Sequence, residues 1–190
     1  MEKNSRLEAF IADIAAGDRA AVGALYEETK TAVYGFALSI VKNADDAQDV
    51  LQDTYVRVWS AANAYNPMGK PMAWILTITK NLSMTVLRER VRMSDVPEEL
   101  WHSAAAENPY ESTEQRLVLD AAMRVLSDEE RRIVILHAVS GLKHAEIAKL
   151  LELPLPTVLS KYSRARKKLE KTLKEENGSA NEKDREKARR

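Results

Sequence analysis

Residues 141–171 read GLKHAEIAKLLELPLPTVLSKYSRARKKLEK, the pattern of two helices joined by a tight turn. Leu142, Ile147, Leu150 and Leu151 recur at helical spacing and give the first helix an apolar face. Glu152-Leu153-Pro154 interrupts that run, and Pro156 suits the first turn of a second helix, where a missing N–H is no loss. In the second helix Val158, Tyr162, Ala165 and Leu169 form one row, and Thr157, Lys161, Arg164 and Lys168 form another, rotated to a different face. The first row can pack on the preceding helix. The second offers cations for phosphates and hydrogen-bonding groups for base edges, as a helix in the major groove requires. A helical hairpin with a solvated basic face fits the same spacing. The charge bias favours DNA, because Lys143, Lys149, Lys161, Arg164, Arg166, Lys167, Lys168 and Lys171 face only Glu146, Glu152 and Glu170.

The rest of the chain cannot be a basic coat. Its 190 residues carry 29 Lys+Arg against 29 Asp+Glu, a formal net charge of +0, so any nucleic-acid binding uses local patches. Cysteine is absent, which excludes a disulfide framework and thiolate metal sites. The start, Met1 to Arg6, is polar, and no apolar run is long enough for a signal peptide or a membrane span. The expectation is a cytoplasmic chain without membrane insertion. Glycine and proline number 6 each and no long stretch alternates with period two, so the fold class is all-α.

Taken in order, Leu7, Phe10, Ile11 and Ile14 predict a first amphipathic helix, and Val22 to Val41 a longer second one. Asn43-Ala44-Asp45 punctuates, with Asp45 read as the N-cap of a third. Ala47, Val50, Leu51, Thr54, Tyr55, Val58 and Trp59 form that helix's stripe, while Asp46, Asp49 and Asp53 mark another face. Three carboxylates at this spacing suit a docking face for a basic partner, or a solvated helix N-terminus, better than a metal site, since no further ligand cluster accompanies them. Ser60 to Pro71 is a loop by its Asn, Gly and Pro content, with Tyr65 and Met68 as surfaces on which a base could rest. Tyr65 packing inward is the plainer alternative. Met72 to Arg92 resumes a helix along Trp74, Ile75, Ile78, Leu82 and Val86, with Lys80, Asn81, Arg88, Arg90 and Arg92 as its polar ground.

Residues 93–114 are acidic and irregular and read as a linker, able to span ~65 Å if extended. Ser112-x-x-Gln115 and Ser127-x-x-Glu130 are capping boxes, opening helices over 115–126 and 128–139. After Leu173 the sequence alternates charge without a large apolar residue, so 174–190 reads as a disordered tail. His102, His137 and His144 are scattered, Ser83, Ser140 and Ser163 have no nucleophile context and read as helix-surface residues, and Trp59 and Trp74 lie on core stripes. No catalytic constellation converges, so an enzyme is not expected, and no cofactor is called for.

Several of these segments resemble, in order, the extracytoplasmic-function (group IV, sigma-70 family) sigma factors, the small promoter-recognition subunits of bacterial RNA polymerase. ADDAQDVLQDTYVRVW at 44–59 is similar to the family's core-polymerase-binding helix. WILTITKNLSMTVLRER at 74–90 is similar to its promoter-melting and −10 region. LSDEERRIVIL at 126–136, followed by the 141–169 stretch, resembles its −35-binding domain.

The resemblance implies two small helical domains, 1–92 and 115–173, joined by the acidic linker. The second would be a helix-turn-helix, winged-helix-like but without a wing. It implies that Asp49, Gln52, Asp53 and Arg57 dock on the coiled coil of the polymerase's largest subunit, with the flap as a further contact. Asn63, Tyr65, Asn66 and Met68 would capture a flipped −10 base, and Lys80, Asn81 and Arg88 would hold the backbone there. Thr157, Ser160, Lys161, Arg164 and Lys168 would meet the −35 element. The linker would thread toward the polymerase active-site channel. An anti-sigma factor is implied as a further partner.

The sequence departs from the family at Pro156, where Gly is usual, at Leu159, where a basic residue is usual, at Lys161, where Arg is usual, and at Thr85, where Asp is common. Lysine lacks arginine's bidentate fork, and Leu159 either gives up a phosphate contact or touches a thymine methyl. The alternative functions are a stand-alone helix-turn-helix transcriptional regulator and a helical adaptor without a nucleic-acid role.

Overall fold

A computed structural model describes residues 2–93 and 124–187, and all regular structure among them is helical. Apart from Met93, which is helical, the linker expected at 93–114 lies outside the described residues, as do the Ser112-x-x-Gln115 box, most of the helix expected over 115–126, and His102. The first domain comprises α1 (Glu2–Ala15), α2 (Arg19–Val41), α3 (Ala44–Ala61), a single 3₁₀ turn (Ala62–Ala64) and α4 (Pro71–Met93). The second comprises α5 (Asp128–Val134), continued by a wide π-helical turn (Ile135–Val139), then α6 (His144–Leu151) and α7 (Leu155–Lys187).

Local chemistry sets the ends of these helices. Asp18 Oδ1 accepts from the Ala20 N–H at 2.8 Å to open α2, and Lys42 closes it in the left-handed region at φ 56°. Asn43, rather than the expected Asp45, caps α3: its Oδ1 accepts from the Asp46 N–H at 3.0 Å. Asp45 lies inside the first turn, where its charge suits the helix's positive end. Pro71 begins α4, where its ring fits without loss. The Ser127–Glu130 box is formed in both directions.

Leu7, Ile11, Leu25, Val33, Phe36, Leu51, Ile75 and Leu76 are almost wholly buried at the centre of the first domain. The expected stripe of α3 is buried as far as Val58, but Trp59 is 38 % exposed at the helix's last turn, which overturns its assignment to the core. Ser83 and Ser140, expected on helix surfaces, are buried instead. The Ser83 hydroxyl donates to the Thr79 carbonyl at 2.8 Å, and that of Ser140 donates to the Ile135 carbonyl at 3.4 Å. The last helix also runs further than its composition suggests. The α7 backbone is helical to Lys187, so residues 174–187 of the segment expected to form a disordered tail continue the helix.

The two domains share one apolar core. Ile133, Ile135, Leu136, Leu142 and Ile147 join the first domain's buried residues in a single cluster, and the wide turn lies against α2. Gly35 sits at that contact, where a Cβ would stand 3.7 Å from Ile135 Cγ2. Ion pairs ring it: Lys42 with Asp128, Lys70 with Glu146 at 3.8 Å, and Lys80 with Glu152 at 2.6 Å. In each of the three the cation belongs to the first domain and the carboxylate to the second. The Asp128 carboxyl is held below its usual range chiefly by the hydrogen bond from Lys42.

Candidate nucleic-acid interface

The outward face of α3 carries Asp49, Gln52, Asp53 and Arg57, all exposed. Val56, 67 % exposed, and Trp59 belong to the same outer surface. Apolar groups left in water among charged ones suit protein docking, since a partner gains by covering them while the charges set register. Asp46, grouped with these carboxylates by spacing, is instead tied to Arg90, which also donates to the Val41 carbonyl at 3.2 Å. Arg90 therefore fastens the end of α4 to α2 and α3. Among the described residues no three metal-ligating side chains gather.

The 62–70 loop is held against α1. Glu8 Oε1 accepts from the Tyr65 hydroxyl at 3.0 Å and from the Gly69 N–H at 2.7 Å, and Asn4 donates to the Gly69 carbonyl at 2.9 Å. Gly69 has φ +70°, a conformation that excludes most side chains. Tyr65 packs inward with its ring 4.8 Å from that of Trp74, and burial followed by the Glu8 carboxylate pushes its phenol up to about 12. Asn63, Asn66 and Met68 stay on the open side of the loop, Met68 being 70 % exposed. Glu8 and Asn4 were not identified from sequence, because nothing local links α1 to a loop 57 or more residues away.

On α4, Asn81 and Arg88 are exposed, two turns apart on one face. Lys80 lies at the edge of that face and is engaged by the second domain. Its amine donates to the Leu150 carbonyl at 2.9 Å and to Glu152 Oε1 at 2.6 Å, at the negative end of α6. Glu152 itself closes α6 in the left-handed region at φ 57°, and its carboxyl is lowered by the Lys80 hydrogen bond.

On α7 the structure separates the residues grouped by spacing. Ser160 and Arg164 are exposed. Lys161 is turned toward α5 and paired with Glu129 at 2.5 Å. Lys168 bonds to Glu130 at 2.7 Å. Burial pushes the Glu130 carboxyl up, but the hydrogen bonds from Lys168 and from Ser127 outweigh it and hold it below the usual range. Thr157 is half-buried. The outermost line of α7 is Pro156, Ser160, Ser163 and Lys167, all exposed, so Ser163 and Lys167 join the face and Lys161 and Lys168 flank it. Tyr162, on the inner side, meets a stack of His137 and His144, whose ring centroids lie 4.3 Å apart. Sequence left these histidines scattered, whereas the turn at Gly141 brings them together.

Comparison with known proteins accounts for this arrangement. The family model for sigma-70 region 2 matches residues 25–93, and that for sigma-70 region 4 matches 116–169. The chain is 29 % identical to the ECF RNA polymerase sigma factor SigK of Mycobacterium sp. (strain KMS), over 82 % of this chain and 84 % of that one. It is 33 % identical to the ECF RNA polymerase sigma factor SigE of Mycolicibacterium smegmatis, over 82 % of this chain and 63 % of its relative. Among solved structures it is similar to sigma factor RpoE in complex with the anti-sigma factor NepR from Bartonella quintana, with a TM-score of 0.62, 27 % identity and coverage of 75 % of this chain and 90 % of that one. CnrH in complex with the cytosolic domain of CnrY gives a TM-score of 0.59 at 25 % identity, covering 89 % and 97 %. With both regions matched in order, and an all-helical fold whose second half is a helix-turn-helix, the chain belongs to the extracytoplasmic-function branch of the sigma-70 family, the non-enzymatic RNA polymerase subunits that direct transcription initiation.

Proposed function

We propose that this chain works through three separate surfaces. The outer face of α3, with Asp49, Gln52, Asp53 and Arg57 around Val56 and Trp59, docks on the coiled coil of the largest polymerase subunit. The 62–70 loop, through Asn63, Asn66 and Met68 against the wall made by Tyr65, receives a base from the opened −10 strand. Asn81 and Arg88 hold the backbone beside it, and Lys80, whose amine the second domain holds in this arrangement, joins them when that contact opens. The start of α7 enters the −35 major groove, with Ser160 toward base edges and Arg164 toward phosphate, while Thr157, Lys161 and Lys168 border the contact. The observation that carries this reading is that α3, the loop and α7 each keep an exposed polar face while their other sides are buried in one core.

The reading places the protein in the cytoplasm, beside the polymerase. Among the described residues no helix is long and apolar enough to cross a membrane. One solved relative was captured with an anti-sigma factor and another with the cytosolic domain of a partner chain, which supports an anti-sigma factor as a further partner here. Such a partner would act on the same exposed faces.

The test is reconstituted transcription with core polymerase. The chain should direct initiation from a subset of genomic fragments, and Asp49→Lys combined with Asp53→Lys should abolish association with core while leaving helicity unchanged. Normal pull-down of core by that variant would remove α3 from the interface.

A further inference from the structure

The first two turns of α7 hold an apolar feature that packing does not explain. Leu155 is 40 % exposed and Leu159 47 % exposed, one turn apart on one flank of the helix. Their inner neighbour Val158 is fully buried, so the core is already supplied at this level. Both leucines adjoin the outermost line of Pro156, Ser160, Ser163 and Lys167. The opposite flank, with Lys161 and Lys168, is bordered by Glu129 and Glu130, which would repel phosphate. The surface free to enter a groove therefore runs from Arg164 across Ser160 to Leu159 and Leu155.

In that groove the only apolar group a base pair presents is the thymine C5-methyl. Recognition helices of this type contact base edges with their N-terminal residues, which is where the two leucines stand. We infer that Leu155 and Leu159 read thymine methyl groups in the −35 element, making this sigma factor select thymine at positions where a cationic or hydroxyl side chain would select another edge. One helical turn, ~5.4 Å, places the two side chains within about two base steps of each other. Exposed leucines also suit a protein surface, but Arg166 continues their flank about two turns on, and Arg164 and Lys167 stand across the outer line, which favours a polyanion as the occupant. The inference rests on the proposed placement of α7 in the −35 groove.

The experiment uses holoenzyme and a promoter mapped from its own transcripts in vitro. Each thymine of the −35 element is replaced in turn by deoxyuridine, which removes one methyl and leaves the protein untouched. Binding should weaken about three- to fivefold at one or two positions, the loss of one buried methyl each. The same replacements should have no effect on holoenzyme carrying Leu155→Ala and Leu159→Ala. Deoxyuridine bound as well as thymine at every position would overturn the inference, and so would a deoxyuridine effect that persists undiminished in the leucine variants. Arg164→Ala separates the two levels. If it weakens binding while deoxyuridine does not, α7 is in the groove and only the methyl reading fails. If Arg164→Ala and loss of the whole −35 element both leave binding unchanged, the placement of α7 fails with it.

Discussion

Helices α4 and α7 each carry the cations of one proposed promoter surface, yet the fold treats them differently. On α4, Lys80 is capped by the other domain, through the Leu150 carbonyl and Glu152, and Arg90 is spent on Asp46. On α7, Arg164 and Lys167 face outward, and the internal pairs fall on Lys161 and Lys168 at the flank. A cation with a fixed carboxylate partner in its own chain shapes the protein, while one left facing water is available to phosphate. The first domain's surface is thus partly covered in this arrangement and the second's is open. The zero net charge of the chain conceals this division, because the contact between domains sets cations on one side against carboxylates on the other.

The strongest way to break the comparison is charge reversal on the open side. Arg164→Glu with Lys167→Glu should weaken holoenzyme binding to its promoter by roughly 10- to 100-fold at moderate salt, and should flatten the dependence of binding on salt. Lys161→Ala should do much less, because its amine already has Glu129. Equal losses in a filter-binding or fluorescence titration would show that the split between face and flank has no functional meaning.

A wedge at the domain contact should give the next largest effect. Gly35 has room for a methyl against Ile135 but not for a ring. Gly35→Ala should leave the radius of gyration unchanged in small-angle scattering, and a glycine inside a helix gains stability from the change, roughly 0.5–1 kcal/mol. Gly35→Phe should push the second domain away and raise the radius of gyration. It should also free Lys80, seen as faster chemical acetylation of that amine. The ion pairs alone should not hold the contact shut: exposed pairs are worth about 0–1 kcal/mol each, so salt should open it less than the wedge does.

How far this arrangement was legible in the sequence follows from the same distinction. Periodicity found the helices, and the Ser127-x-x-Glu130 box placed the start of α5, because those signals are local. The two-helix stretch with its Pro154 and Pro156 punctuation was readable for the same reason. What spacing leaves out is a partner that lies far along the chain. Lys161 and Lys168 share a spacing with Arg164, but spacing does not reveal that α5 brings Glu129 and Glu130 against them. Lys80 was readable as a phosphate ligand and not as the cap of α6. Gly35 carried a usable signal, since a glycine inside a long helix often marks close approach by another element.

A smaller effect is expected where α1 holds the 62–70 loop. Glu8→Ala removes the acceptor of both the Tyr65 hydroxyl and the Gly69 N–H. The cost should be ~1–3 kcal/mol, seen as a fall in Tm of a few degrees for a chain of this size. The Tyr65 phenol, raised by burial and by the Glu8 carboxylate, should titrate lower in the variant. Promoter opening should slow while binding to duplex −35 DNA stays as it was, because the loop belongs to the proposed −10 surface and not to that of α7. An unchanged opening rate would show that the loop's anchorage does not matter to strand capture.

The smallest effect is expected from pH, and it separates the domains in a different way. His144 stands at the first position of α6, next to Lys143 and at the helix's positive end, with its Nε2 buried and without a partner. His137 stacks on it, Tyr162 closes the other side, and Glu146, on its own helix, is drawn away toward the Lys143 N–H and Lys70. Burial first, and then the neighbouring His137, lower the His144 imidazole below its ordinary value. The folded domain therefore binds this proton less readily than the unfolded chain does. Stability is fully present above about pH 6.5, the unfolded value, and falls as pH drops toward the folded one. Thermal unfolding of the second domain, followed between pH 8 and pH 5.5, should show a Tm that declines on the acid side. His144→Phe keeps a ring against Tyr162 without a titrating nitrogen, so it should flatten that decline and leave the first domain's transition where it was. The same slope in wild type and variant would show that His144 does not carry the acid sensitivity, and the interdomain carboxylates Asp128 and Glu152 would not replace it there, since their lowered values predict a loss only at more acidic pH.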